Sequence, residues 1–196
     1  MILILFVAVG LLVGLLWAWF LKTPYHGPDL KAMWLALLGF LPQILVARLP
    51  NLLPNRMDAA SLTISQVVLL GFAWLNRHVA GMYLFICGAA LNLLVMEANG
   101  GFMPVSPQTA DRLFSEEALL ELSPGDRIGP KDILLLPQQT RLEWLADRFL
   151  PPAWFPYRVA FSLGDVFIAI GAFWMLAYPS ALSNIEVHQH ERSANL

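Results

Sequence analysis

Carboxylates set against apolar sequence are the side chains here most able to do chemistry. Asp165 opens the last apolar run, three residues after Ser162. A charge held within lipid is costly, so it needs a reason. One reason is catalytic, a proton-binding acid with a raised pKa. The other is structural. Ser162-Leu163-Gly164-Asp165 fits a capping box, in which Asp165 folds back onto the amide that starts a helix. The two coexist, because a carboxylate at a helix N-terminus is also aimed at water. Glu97 closes the fourth apolar run, and Asp147 lies late in the polar stretch after it. Either, paired with Asp165, would give the two carboxylates of unequal pKa that acid–base chemistry needs. The spacing does not require the pairing. Asn92, Asn99, Gly100 and Gly101 mark the end of the fourth run. The glycines read as a helix terminator and Asn92 as a bond to a neighbouring helix. With Ser162 they form a structural or partner-binding set.

Other chemistry finds little support. His26, His78, His188 and His190 all fall on the side opposite Asp165. His188-x-His190 beside Glu191 has metal-ligand types, but in a polar tail it reads as composition, and no metal or cofactor is expected. Cys87 lies within an apolar run with no second cysteine, so it reads as an inert buried thiol. No G-x-S-x-G, H-E-x-x-H, phosphate-loop or dinucleotide fingerprint occurs. A formal charge of −2 argues against nucleic acid as a partner, which requires a basic face.

The elements that position these residues follow from composition. The chain has 196 residues, 58% hydrophobic and 13% charged. Its mean hydropathy is +0.61. A soluble domain carries about 25% charged residues. One core of this size cannot hide such an apolar excess, so a polytopic membrane protein is expected, with the lipid bilayer as its first partner. Five apolar segments, 1–21, 32–46, 61–75, 80–96 and 163–177, approach the length of a membrane span. Backbone polar groups in lipid must bond internally, so all are read as helices. The first lacks a basic start and a small-residue cleavage site, and reads as a retained helix rather than a signal peptide. Trp17, Trp19, Phe20, Trp34, Trp74, Trp154, Phe155, Tyr157 and Tyr178 sit where an interfacial aromatic belt belongs. Gly10, Gly14 and Ala18 form a small-residue stripe that suits either packing inside the bundle or self-association. Pro42 is expected to kink the second helix, because it removes a backbone donor, and Gln43 beside it is placed to bond a freed carbonyl.

The polar stretch 99–156 holds eight acids and five bases. Helical spacing within it predicts amphipathic helices over 107–122 and 138–150, joined by the turn Ser123-Pro124-Gly125-Asp126. Lying on the membrane surface or across the bundle end, they would form a cap. The expected organisation is a four-helix membrane region over 1–98, the cap over 99–156, a fifth span over 157–179 and a flexible tail over 180–196. Orientation is close to balanced. In short loops Lys22, Lys31 and Arg77 on one side oppose Arg48 and Arg56 on the other. The full count of Lys and Arg favours a cytoplasmic long loop.

Two resemblances follow from these motifs. Asn92…Asn99-Gly100-Gly101-Phe102-Met103-Pro104, then Thr140-x-Leu142-x-x-Leu145-x-Asp147, then Ser162-Leu163-Gly164-Asp165 resemble an uncharacterised bacterial membrane family, domain-of-unknown-function family 5317. That resemblance implies several spans and no established activity. Phe161-Ser162-Leu163-Gly164-Asp165-x-x-Ile168-x-x-Gly171 is similar to the last motif of lipoprotein signal peptidases. There the aspartate is one of two catalytic carboxylates at the extracytoplasmic face. Asn92 matches the other motif, but Val95 and Met96 stand where its aspartate and arginine belong. The likeness tips the orientation toward an extracytoplasmic cap. The reading is therefore an all-α, five-span protein of the bacterial inner membrane, a non-catalytic scaffold or accessory subunit binding a partner or lipid. The alternatives are an intramembrane aspartyl hydrolase using Asp165 with Asp147 or Glu97, and a small transporter.

Overall fold

The computed structural model describes residues 2–49, 54–120, 122–152, 155 and 158–178. Trp154, Tyr157 and the tail 180–196, with His188, His190 and Glu191, lie outside the described residues. The helices are α1 (Ile2–Phe20), α2 (Met33–Arg48), α3 (Asn55–Leu75), α4 (Met82–Ala98), α5 (Pro107–Leu113), α6 (Glu116–Leu120) and α7 (Leu163–Ala177). Two three-residue strands, β1 (Met103–Val105) and β2 (Asp132–Leu134), form a parallel ladder in which Pro104 stands opposite Ile133. Among the described residues the class is all-α with this one ladder.

The apolar helices stand in a row, α1 beside α7, then α4, α3 and α2. The row follows from where small residues allow backbones to meet. A Cβ on Gly10 would lie 2.8 Å from the Phe173 carbonyl oxygen, and one on Gly14 would strike Leu176 O and the Tyr25 ring. Gly10, Gly14 and Ala18 are buried. The occupant seated on the stripe is thus α7 of the same chain. A Gly14→Leu substitution is expected to wedge α1 from α7 and destabilise the fold by about 1–3 kcal/mol, read from thermal unfolding in detergent. α7 and α4 run antiparallel, and Gly88 meets Gly164 where they cross.

α1 and α3 are long and apolar enough to cross a membrane; α2, α4 and α7 are shorter apolar helices of 16, 17 and 15 residues. α3 begins six residues before the expected 61, at Asn55. Arg56 and Asp58 broke the apolar pattern there, yet an acid in the first turn suits the positive end of the helix. α2 continues through Pro42, and Gln43 donates to Ser65 Oγ of α3 at 2.8 Å rather than to a freed carbonyl. Cys87 is exposed on α4 rather than buried.

The segment 99–152 packs onto the bundle end. Val46, Ala59, Leu62, Val95 and Met96 from the helices share one core with Phe102, Met103 and Leu145. The helix expected over 107–122 breaks at Phe114, which turns extended and packs with Val105, Ala110 and Leu134. The helix expected over 138–150 does not form. Leu142 takes a left-handed φ of 54°, and only a 3-10 turn, Glu143–Leu145, follows. The apolar spacing was real, but tertiary bonds satisfy this backbone instead. Arg141 is gripped by Asn99, and the Asp147 N–H donates to Pro104 O at 3.2 Å. The cap is therefore a compact mixed layer rather than a helical one.

Candidate functional site

The junction between cap and bundle gathers most of the residues singled out by sequence. α7 opens with a closed capping box. The Asp165 N–H donates to Ser162 Oγ at 3.0 Å, and the Ser162 N–H donates to Asp165 Oδ2 at 3.2 Å. Asn92 of α4 joins it. Its Nδ2 donates to Asp165 Oδ1 at 2.8 Å, and its Oδ1 accepts from Ser162 Oγ at 2.8 Å. Both carboxylate oxygens of Asp165 are thus engaged. The ring closes because Gly164 lets α7 come against α4. A Cβ there would strike Asn92 Oδ1 and lie 2.7 Å from Gly88 O.

Asp147 stands on the cap side of this ring. Its side chain is 3% exposed, and Oδ2 accepts from Lys131 Nζ at 2.6 Å. Oδ1 is buried with no hydrogen-bond partner among the described residues. Lys131 also donates to Asp132 Oδ1 at 3.0 Å. The β ladder fixes the lysine, since the Met103 N–H donates to Lys131 O at 2.7 Å. Burial pushes the Asp147 carboxyl up to about 7; Lys131 opposes the shift, while Asp165 and Asp132 add to it. Burial works against the Lys131 charge, but Asp147, Asp132 and Asp165 outweigh it and hold the ammonium well above the usual lysine range. One lysine is therefore bonded to two carboxylates and lies within electrostatic reach of a third.

Glu97 does not join this cluster. It accepts from the Thr63 hydroxyl of α3. Asn99 acts as a clasp. Its Nδ2 donates to Val95 O of its own helix and to Arg141 O, and its Oδ1 accepts from the Arg141 N–H. Asn76 does the same at the other end of the row, gripping the N–H and carbonyl of Lys31 while donating to Phe72 O. Gly100 and Gly101 have φ of 80° and 86°, and the Gly101 N–H donates to Met96 O at 2.8 Å. Such left-handed turns end a helix by satisfying its last carbonyls. A Cβ on Gly101 would also lie 2.7 Å from Ala59 Cβ.

Sequence reasoning missed Lys131, Asp132, Asp58 and Arg127 as site members. Arg127 Nη1 lies 2.5 Å from Asp58 Oδ2, with both side chains mostly buried, and its guanidinium stands 4.8 Å over the Phe102 ring. The two residues are 69 positions apart, so no local pattern could have linked them. Among the described residues, no group of three or more His, Cys, Asp or Glu is arranged to hold a metal.

No curated protein and no solved structure matches the chain. The local likeness to lipoprotein signal peptidases has no counterpart in these comparisons. One family model matches residues 28–177, which takes in α2, α3, α4, the whole junction and α7. The chain belongs to this family of unknown function, DUF5317.

Proposed function

We propose that this chain is a five-span protein of the bacterial inner membrane, a non-catalytic scaffold or accessory subunit that presents its cap to a partner or to lipid. What supports the spans is the outer surface of the row. Trp19, Phe20 and Leu37 are 72–75% exposed, as large apolar side chains are when lipid is their solvent. The observation that carries the non-catalytic role is the engagement of Asp165. Both of its oxygens accept bonds that hold α4, α7 and the capping turn together. A carboxylate so used is a building element of the bundle end.

A second reading keeps one specific support. Asp147 and Asp165 lie within electrostatic reach of each other, and Asp147 has a buried oxygen without a partner among the described residues. An aspartyl hydrolase would use them as acid and base. That reading also needs the cap on the extracytoplasmic side, where we place it. A single cysteine at exposed Ser115, in a Cys87→Ala background, tests this. A membrane-impermeant maleimide is expected to label it in intact cells. Labelling only after lysis would put the cap in the cytoplasm and remove the hydrolase reading.

A further inference from the structure

We propose that Asp147 Oδ1 is a proton-binding site at the seam between cap and bundle, and that gain and loss of this proton closes and loosens the cap. The inference goes beyond the scaffold reading and does not depend on the membrane orientation. Three observations of geometry carry it. The side chain is 3% exposed, yet among the described residues only Oδ2 has a partner. That partner, Lys131, is shared with Asp132 at 3.0 Å. The Asp147 main chain is bonded to β1, so the carboxyl cannot leave for water unless the 3-10 turn and the ladder separate.

The charges around the site decide the sign. Facing Asp147 are Lys131 and Asp132 from the start of β2 and Asp165 from α7. The other nearby ionic groups are engaged elsewhere. Glu97 of α4 accepts from Thr63, Glu143 of the 3-10 turn faces Arg148, and Arg127 is held by Asp58. With Asp147 ionised, three carboxylates lie within electrostatic reach of one ammonium, a net excess of two negative charges around a buried carboxyl. A proton on Asp147 halves that excess. The closed cap therefore binds the proton more tightly than a solvated Asp147 does, in line with its upward shift to about 7. Closure is then strongest below the ordinary aspartate range. It weakens as pH rises through neutrality, because the open state binds fewer protons than the closed one. Opening would expose the segment 141–149 and the Leu145 contact with the bundle.

The experiment is hydrogen exchange on the full chain in detergent micelles at about pH 5 and about pH 8, corrected for intrinsic exchange chemistry. Amides of 143–149 are expected to lose about tenfold or more of their protection at the higher pH in the wild type. Asp147→Asn, which fixes a neutral side chain of the same shape, is expected to stay protected at both. Asp132→Asn keeps the pH dependence. Equal protection of the wild type at both values overturns the proposal. A pH dependence that survives in Asp147→Asn also overturns it, since another group then titrates. Should Asp147→Asn fail to fold, the wild type alone decides. Its infrared difference spectrum between the two pH values must lose a protonated-carboxyl band, and absence of that band overturns the proposal.

Discussion

Arg127→Ala is expected to destabilise the protein by about 3–5 kcal/mol, because it strands a buried carboxylate. Asp58 is 5% exposed at its side chain and Arg127 14%. The guanidinium is held on all sides. Nη1 donates to Asp58, Nη2 donates to Pro130 O at 2.8 Å, and its face covers Phe102. Removing it leaves Asp58 charged in the first turn of α3, with only the helix dipole in its favour. Arg127→Lys keeps the charge but loses the fork and the stacking, so it should fall between wild type and alanine. The double change Asp58→Asn with Arg127→Met should be less damaging than Arg127→Ala alone, since no charge is then left unpaired. Thermal unfolding in detergent, run as a double-mutant cycle, reads the coupling directly. A cost for Arg127→Ala below about 1 kcal/mol would mean that the pair is solvated and does not tie cap to bundle.

The same pair shows where sequence stops being informative. The apolar helices were legible because each is a run of fifteen or more residues with few charges. The segment read as 163–177 coincides with α7, and that read as 80–96 lies within two residues of α4. The start of α7 was legible as well, since a capping box is a four-residue pattern and its chemistry is local. The cap was not. Its strands have three residues each, too short to show alternation, and they pair across 29 positions. The predicted second helix had the right apolar spacing, but Leu142 and Leu145 reach the bundle core from a turn instead. Asn99 replaces the helical bonds that Arg141 would have made. The ion pair that binds cap to bundle, Arg127 with Asp58, joins residues 69 positions apart, and the Lys131–Asp147 pair inside the cap joins residues 16 apart. Such pairs are set by the fold as a whole and leave no period in the chain. Asp165 could therefore be singled out from sequence, while Lys131, the residue that links Asp147 to its neighbours, could not.

Asp165 is where the two functional readings part, and stability can separate them. Asp165→Ala removes the acceptor for both Asn92 Nδ2 and the Ser162 N–H. Losing a cap costs about 1 kcal/mol, and leaving a buried donor unpaired costs about 1–3 kcal/mol more. A total of about 2–4 kcal/mol is expected for alanine. Asp165→Asn can still accept one of the two bonds, but its amide then meets the other donor. If the carboxylate is there to hold α4 to α7, asparagine should recover only part of the loss and remain below wild type. If it is there for chemistry, it is kept despite its charge, and asparagine should be as stable as wild type or more so, as at sites where activity costs stability. One complication has a known sign. Neutralising Asp165 also relieves its repulsion of Asp147, which favours the asparagine variant for a reason unrelated to either role. The comparison is therefore repeated in an Asp147→Asn background, where that repulsion is gone. The scaffold reading requires Asp165→Asn to remain less stable than its parent there, as measured by thermal unfolding in detergent. An equal or higher stability would transfer the argument to the aspartyl hydrolase.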